Sequence, residues 1–231
     1  MAWLSQFAGV HNDLIAFVAS AALLAGYQLF LRLKLRGHPT YTIQAVNAIA
    51  RAAWVETVMR ERKDILAVQT LRNSTMAATF LASTSVLLIM GVLTLTAQGE
   101  KLGEAWHLLN VSGTTHSTLW LTKLLLLLLD LFVGFFSFSM SIRIYNHVGY
   151  MINVPLSLAH KSISPEHVAM HLNSGGTFYS LGMRAFYYTV PLVFWLFEPV
   201  LMLVSTLVLI MVLFRLDRAP QVMEADYGPG A

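Results

Sequence analysis

Four long apolar runs, separated by polar segments, organise the chain. Residues 12–31 (NDLIAFVASAALLAGYQLFL) form the first. About 20 residues at about 1.5 Å each cross about 30 Å of hydrocarbon, so this run predicts a membrane-spanning helix. The second run covers 71–97 and carries Thr75, Thr79, Ser83, Thr84 and Ser85 beside Ala77, Ala78 and Ala82. Small and hydroxyl side chains let membrane helices pack closely and hydrogen-bond across, so this helix is expected inside a bundle. The third run is 118–142, and the fourth is 185–214, longer than one crossing needs. Pro191, Glu198 and Pro199 lie within it and predict a kink or a broken helix.

The polar segments differ from one another. Gly37-His38-Pro39-Thr40 breaks the chain after the first run. In residues 40–66, Val46, Ile49, Ala50, Ala53, Trp54, Val58 and Ile65 recur at spacings of three and four. Arg51, Glu56, Arg60, Glu61, Arg62, Lys63 and Asp64 fill other positions. This reads as an amphipathic helix, too charged to span, lying along the cytoplasmic surface or covering the inner end of the bundle. Ser164-Pro165-Glu166 reads as the N-cap, first position and acidic first turn of a short helix that Gly175-Gly176 would end. Residues 1–218 are expected as one domain and 219–231 as a short disordered tail. The predicted architecture is all-α: a bundle of four transmembrane helices, with a cytoplasmic amphipathic helix between the first two and a kinked or broken fourth.

Composition agrees. The chain is 56% hydrophobic and 12% charged, about half the charged share of a soluble domain. Its net charge of +3 reflects basic residues gathered in a few segments, with no nucleic-acid-binding motif. Cysteine is absent, which excludes disulfides, thiolate metal sites and cysteine nucleophiles. Residues 1–11 lack Lys and Arg and do not resemble a signal peptide. Arg32, Lys34 and Arg36 follow the first run, and the segment 32–72 is strongly basic. The positive-inside rule puts that segment in the cytoplasm of an inner membrane and, with four spans, both termini outside. A fourth run that folds back moves the C-terminus to the cytoplasm.

Three constellations could carry chemistry. Arg51, Arg72, Arg143 and Arg184 are expected near one level of the cytoplasmic interface, with Asn73, Asn146 and His147 beside them. Guanidinium forks suit phosphate or carboxylate, so the set reads as a pocket for an anionic headgroup or as a ring of interfacial anchors. Asp130 and Glu198 fall near mid-depth of their runs, where an ionisable group suggests proton or ion passage, or a protonated packing role. Lys123 precedes Asp130 on the same helix face. His167 and His171, four apart, with His160 nearby, have the spacing of imidazole metal ligands. His107 and His116, on the outer side, could ligate copper, zinc or haem. No nucleophile elbow, phosphate loop or dinucleotide glycine pattern occurs, and no cofactor is strongly implied.

Three stretches carry a resemblance: NAIARAAWVETVMRERKDILAVQTLRNSTMAATFLAST, SFSMSIRIYNHVGYMINVP and LGMRAFYYTVPLVFWLF. With their motifs ARAAW, QTLRN, RIYNH and GMRAFY they resemble a family of small bacterial and plant membrane proteins, domain of unknown function 599. The resemblance spans about residues 12–218. It implies a four-helix membrane protein and no established activity. The matched polar residues include Arg51, Trp54, Gln69, Arg72, Asn73, Arg143, Asn146, His147 and Arg184, which largely coincide with the arginine level.

The sequence therefore leads first to a non-catalytic membrane protein, an accessory subunit of a membrane complex or a homo-oligomer surrounded by lipid. The alternatives are an enzyme or binder acting on a lipophilic anion at the arginines, and ion passage through the two carboxylates.

Overall fold

The computed structural model describes residues 2–97, 117–158 and 163–219. They form six α-helices: α1 (Ala2–Gly37), α2 (Ile43–Glu61), α3 (Asp64–Ala97), α4 (Ser117–Met151), α5 (Pro165–Phe197) and α6 (Pro199–Asp217). A 3-10 turn covers Leu156–Leu158. Among the described residues the fold is all-α, and four segments are long and apolar enough to cross a membrane: Val10–Gly37, Asp64–Ala97, Leu119–Met151 and Pro199–Asp217. Many of their large apolar side chains, among them Leu14, Met76, Phe80, Leu125 and Met211, are exposed, as suits helices bathed in lipid.

The residues group into two compact units. The first takes residues up to Thr42, Leu87–Phe132, and Ala185 onward. Here Tyr27 and Leu31 of α1 pack with Leu209 and Leu213 of α6, and Tyr187 and Tyr188 of α5 close the same cluster. Residues before and after Glu198 thus meet at one level, so the part of α5 from Ala185 onward and α6 form a helical hairpin. Its hinge is Glu198, extended at φ −159°, ψ 142°, with Pro199 starting α6 where a missing N–H costs nothing. The break expected in residues 185–214 falls here, whereas Pro191 is carried inside α5. At the far end of α6, Tyr27 donates to Asp217 (2.8 Å). Ala219 N–H donates to Tyr41 C=O (3.0 Å), so the residues directly after α6 lie beside the segment that leaves α1.

The second unit holds Ile43–Val86 and Val133–Arg184. Val55, Val58 and Met59 of α2, Ala67 and Leu71 of α3, Tyr145, Val148 and Ile152 of α4, and Val168, Ala169 and Leu172 of α5 make its core. The expected amphipathic segment 40–66 divides: α2 stops at Glu61, and Asp64 begins α3. Arg62 sits at φ 54° and Lys63 N–H bonds Val58 C=O (3.1 Å), a Schellman-type stop. Ile65, placed by its spacing on the apolar face, is consequently one of the most exposed apolar side chains.

The helix starting at Pro165 is capped as its sequence predicts. Ser164 Oγ accepts from His167 N–H (3.3 Å) and Ser164 C=O from Val168 N–H (3.0 Å). It does not end at Gly175-Gly176 but runs 33 residues. The glycines are contact points. A Cβ on Gly175 would stand 2.7 Å from the Tyr145 ring, and one on Gly176 2.8 Å from the Arg51 guanidinium carbon. Tertiary contact thus overrides the weak helix propensity of glycine.

Candidate functional site

In the second unit, α3 and α4 leave a groove of about 660 Å³. Its α3 wall is Val68, Leu71, Arg72, Thr75, Met76, Thr79 and Phe80, and its α4 wall is Tyr145, Asn146, Gly149 and Tyr150. The α3 residues fall at helical spacings of three and four, so one face lines the groove for about 18 Å. Arg72 and Asn146 supply the charge and the amide. Neither has a hydrogen-bond or ion-pair partner among the described residues. The hydroxyl of Thr79 turns back onto the Thr75 carbonyl (2.9 Å), and most of the remaining lining is apolar side chain. A free guanidinium at one end of an apolar trough matches a ligand with an anionic head and a hydrocarbon body.

Tyr145 forms the floor. Its ring faces the groove on one side and closes onto Gly175 on the other. Behind it, Ser141 donates to Gly175 C=O (2.9 Å). Arg51 Nε donates to Asn173 Oδ1 (2.7 Å), and Asn173 Nδ2 in turn donates to Ala48 C=O (3.1 Å). Burial pushes the Arg51 guanidinium below its ordinary value, with Tyr145 opposing the shift. Arg51 is thus consumed in fastening α2 to α5.

The expected arginine set therefore separates. Arg72 and Asn146 share the groove. Arg51 is committed to Asn173. Asn73, Arg143 and His147 are exposed and outside the lining, and Arg184 is half-buried on α5, also outside it. Arg143 and His147, one turn apart on α4, are not among the residues that line the groove. Equal depth in a bilayer does not give equal direction around a helix.

His167 and His171 approach to 3.1 Å between their Nε2 atoms, with rings at 69°. His107, His116 and His160 lie outside the described residues, as do residues 220–231 of the expected tail. No group of three or more His, Cys, Asp or Glu gathers as metal ligands among the described residues.

In the first unit the carboxylates take separate places. Asp130 accepts from Thr189 Oγ1 (2.9 Å), and Glu198 occupies the hinge between α5 and α6. Lys123 has a partner that its sequence position did not suggest. Its Nζ lies 2.7 Å from Asp13 Oδ1, both side chains almost fully buried. The same oxygen accepts from Trp195 Nε1 (2.9 Å), and Lys123 Nζ donates to Trp195 C=O (3.1 Å). The ammonium stands 5.1 Å from the Trp195 ring centre, and Phe17 stacks on that ring at 5.0 Å. Asp13 opens the first apolar run. The available signal was a lone acid there and a lone lysine opening the third, two opposite charges that must each be compensated in lipid.

The family model described as a protein of unknown function, DUF599, matches residues 15–222, and the chain belongs to that family. No curated protein and no solved structure matches it.

Proposed function

We propose that this DUF599 protein is a non-catalytic integral membrane protein that binds an anionic amphiphile of the lipid class in the α3–α4 groove. The observation carrying this reading is the unpaired Arg72 guanidinium, with Asn146 beside it, at one end of a trough otherwise lined by apolar groups. Arg72 holds the phosphate or carboxylate, Asn146 adds an amide donor, and the hydrocarbon lies along Met76 and Phe80. The length of α3 supports the placement. Its 34 residues extend about 51 Å, about 20 Å more than the hydrocarbon core. Arg72, near its start, then falls at the headgroup level where an arginine is tolerated.

The basic segment that follows α1 faces the cytoplasm of the inner membrane, and the N-terminus lies outside. The bonds of Ala219 to Tyr41 and of Asp217 to Tyr27 support a cytoplasmic C-terminus, the fold-back alternative for residues 185–214. The absence of cysteine makes this directly testable. A cysteine introduced after residue 219 reacts only with membrane-permeant maleimide in intact cells. Labelling by the impermeant reagent sinks the orientation but leaves the groove reading untouched.

The groove is tested by native mass spectrometry of gently extracted protein, and by titration of delipidated protein with anionic and zwitterionic lipid. Anionic lipid should be retained in preference, and Arg72→Ala should weaken it at least tenfold. Equal retention by the wild type and the variant overturns the proposal. A co-purifying polypeptide in place of lipid would support an accessory subunit.

A further inference from the structure

The first two turns of α5 hold a feature the groove does not use. His167 and His171 are each half-buried and stand one turn apart on one face. Their Nε2 atoms are 3.1 Å apart. Imidazole nitrogen binds zinc at about 2.0–2.1 Å. Two nitrogens 3.1 Å apart, each about 2.05 Å from a common ion, subtend about 98° there. That lies between the 90° of octahedral or square-planar ligands and the 109° of tetrahedral ones. The rings are inclined at 69° with their centres 4.7 Å apart, an edge-to-face arrangement that leaves them unstacked.

The helix beneath is fixed before any ion arrives. Ser164 caps it through the His167 N–H, and Val168, Ala169 and Leu172 anchor the same turns in the core. The backbone that carries the pair is therefore held in place before an ion binds. Without an ion, one Nε2–H donates to the other nitrogen, and each ring adopts the opposite tautomer at that atom. An ion replaces the shared proton and needs both rings neutral.

We infer that His167 and His171 form a two-imidazole site for one divalent transition-metal ion, with the remaining coordination positions open to water or an exogenous donor. Nitrogen ligands of this kind take copper(II), nickel(II) and zinc(II), with copper(II) tightest. The site is independent of the lipid groove and of membrane orientation.

The test uses the full-length chain in detergent after removal of any affinity tag, titrated with copper(II) and followed by electron paramagnetic resonance. The expected result is one tight copper per chain with hyperfine structure from two imidazole nitrogens. His167→Gln and His171→Gln should each lose one nitrogen and at least tenfold in affinity, and the double variant should lose the site. Zinc(II) should raise the melting temperature of the wild type but not of the double variant, since only the native pair binds it. Tight copper that persists in the double variant, or wild-type copper held by fewer than two nitrogens, overturns the inference. Because the nitrogen count is read on the wild type itself, a misfolded variant does not blunt the test.

Discussion

The two units handle charge in opposite ways. The first buries a lysine and an aspartate and satisfies them internally: Asp13 Oδ1 takes both Lys123 and the Trp195 indole, and the ammonium also reaches the Trp195 carbonyl. The second builds its core from apolar side chains and Tyr145, and leaves Arg72 unpaired beside an open groove. A sealed ion pair fixes positions and offers nothing to a ligand. An unpaired cation bordering apolar surface is free to bind one. The contrast points to Arg72, which combines the lack of a partner with a place in the groove.

Breaking the sealed pair should give the largest effect. Lys123→Ala strands a buried carboxylate, and a loss of about 3–5 kcal/mol in unfolding free energy is expected. It is read by denaturant titration in detergent. Adding Asp13→Asn should recover much of that loss, a coupling that a double-mutant cycle measures directly. If Lys123→Ala costs less than about 1 kcal/mol, the pair is not a sealed, mutually compensated unit.

Next is the close contact under the groove. In Gly175→Ala the new methyl meets the Tyr145 ring at 2.7 Å. Overpacking costs about 1–3 kcal/mol and the better helix former returns about 1, so a net loss near 1 kcal/mol is expected. Tyr145 should also be driven toward the groove, lowering lipid retention. Loss of stability with unchanged retention would separate the ring from the site.

A smaller change in the opposite direction is expected at the α2 stop. Arg62 holds a left-handed conformation at φ 54°, which costs a non-glycine residue about 1–2 kcal/mol. Glycine relieves this but has more freedom to lose on folding, so Arg62→Gly should gain about 0.5–1 kcal/mol in the same titration.

The smallest effect on stability is predicted where the effect on binding is greatest. Arg72→Ala should shift unfolding by less than about 0.5 kcal/mol, as for an exposed side chain without partners, while anionic lipid is lost. Arg72→Lys should retain part of the binding, because it keeps the charge and loses the planar fork. A large destabilisation in Arg72→Ala would mean that the arginine serves the fold, and the contrast between the units would fail.

Much of this architecture was legible without coordinates, because burial in lipid imposes a length and an apolar composition that a linear reading detects. The runs beginning at 12, 71 and 118 correspond to α1, α3 and α4, Glu198-Pro199 marked the break, and Ser164-Pro165-Glu166 marked the start of α5. The cues that misled were local ones overruled by distant partners. Gly175-Gly176 resembles a helix terminus until Tyr145 and Arg51 are seen pressing against it. Residues 40–66 have one helical period, yet a left-handed Arg62 divides them.

The sequence by itself determined that the chain is a helical membrane protein, where its apolar helices lie and which charges need compensation. These follow from hydropathy and helix rise, which are properties of single segments. Only the tertiary structure decided which charge meets which: that Lys123 seals with Asp13, that Arg51 is consumed by Asn173, and that Arg72 is left to face the groove with Asn146. The reason is rotational. Position along a helix fixes depth, but a side chain's partner depends on the direction it points about the axis and on which helix is packed there.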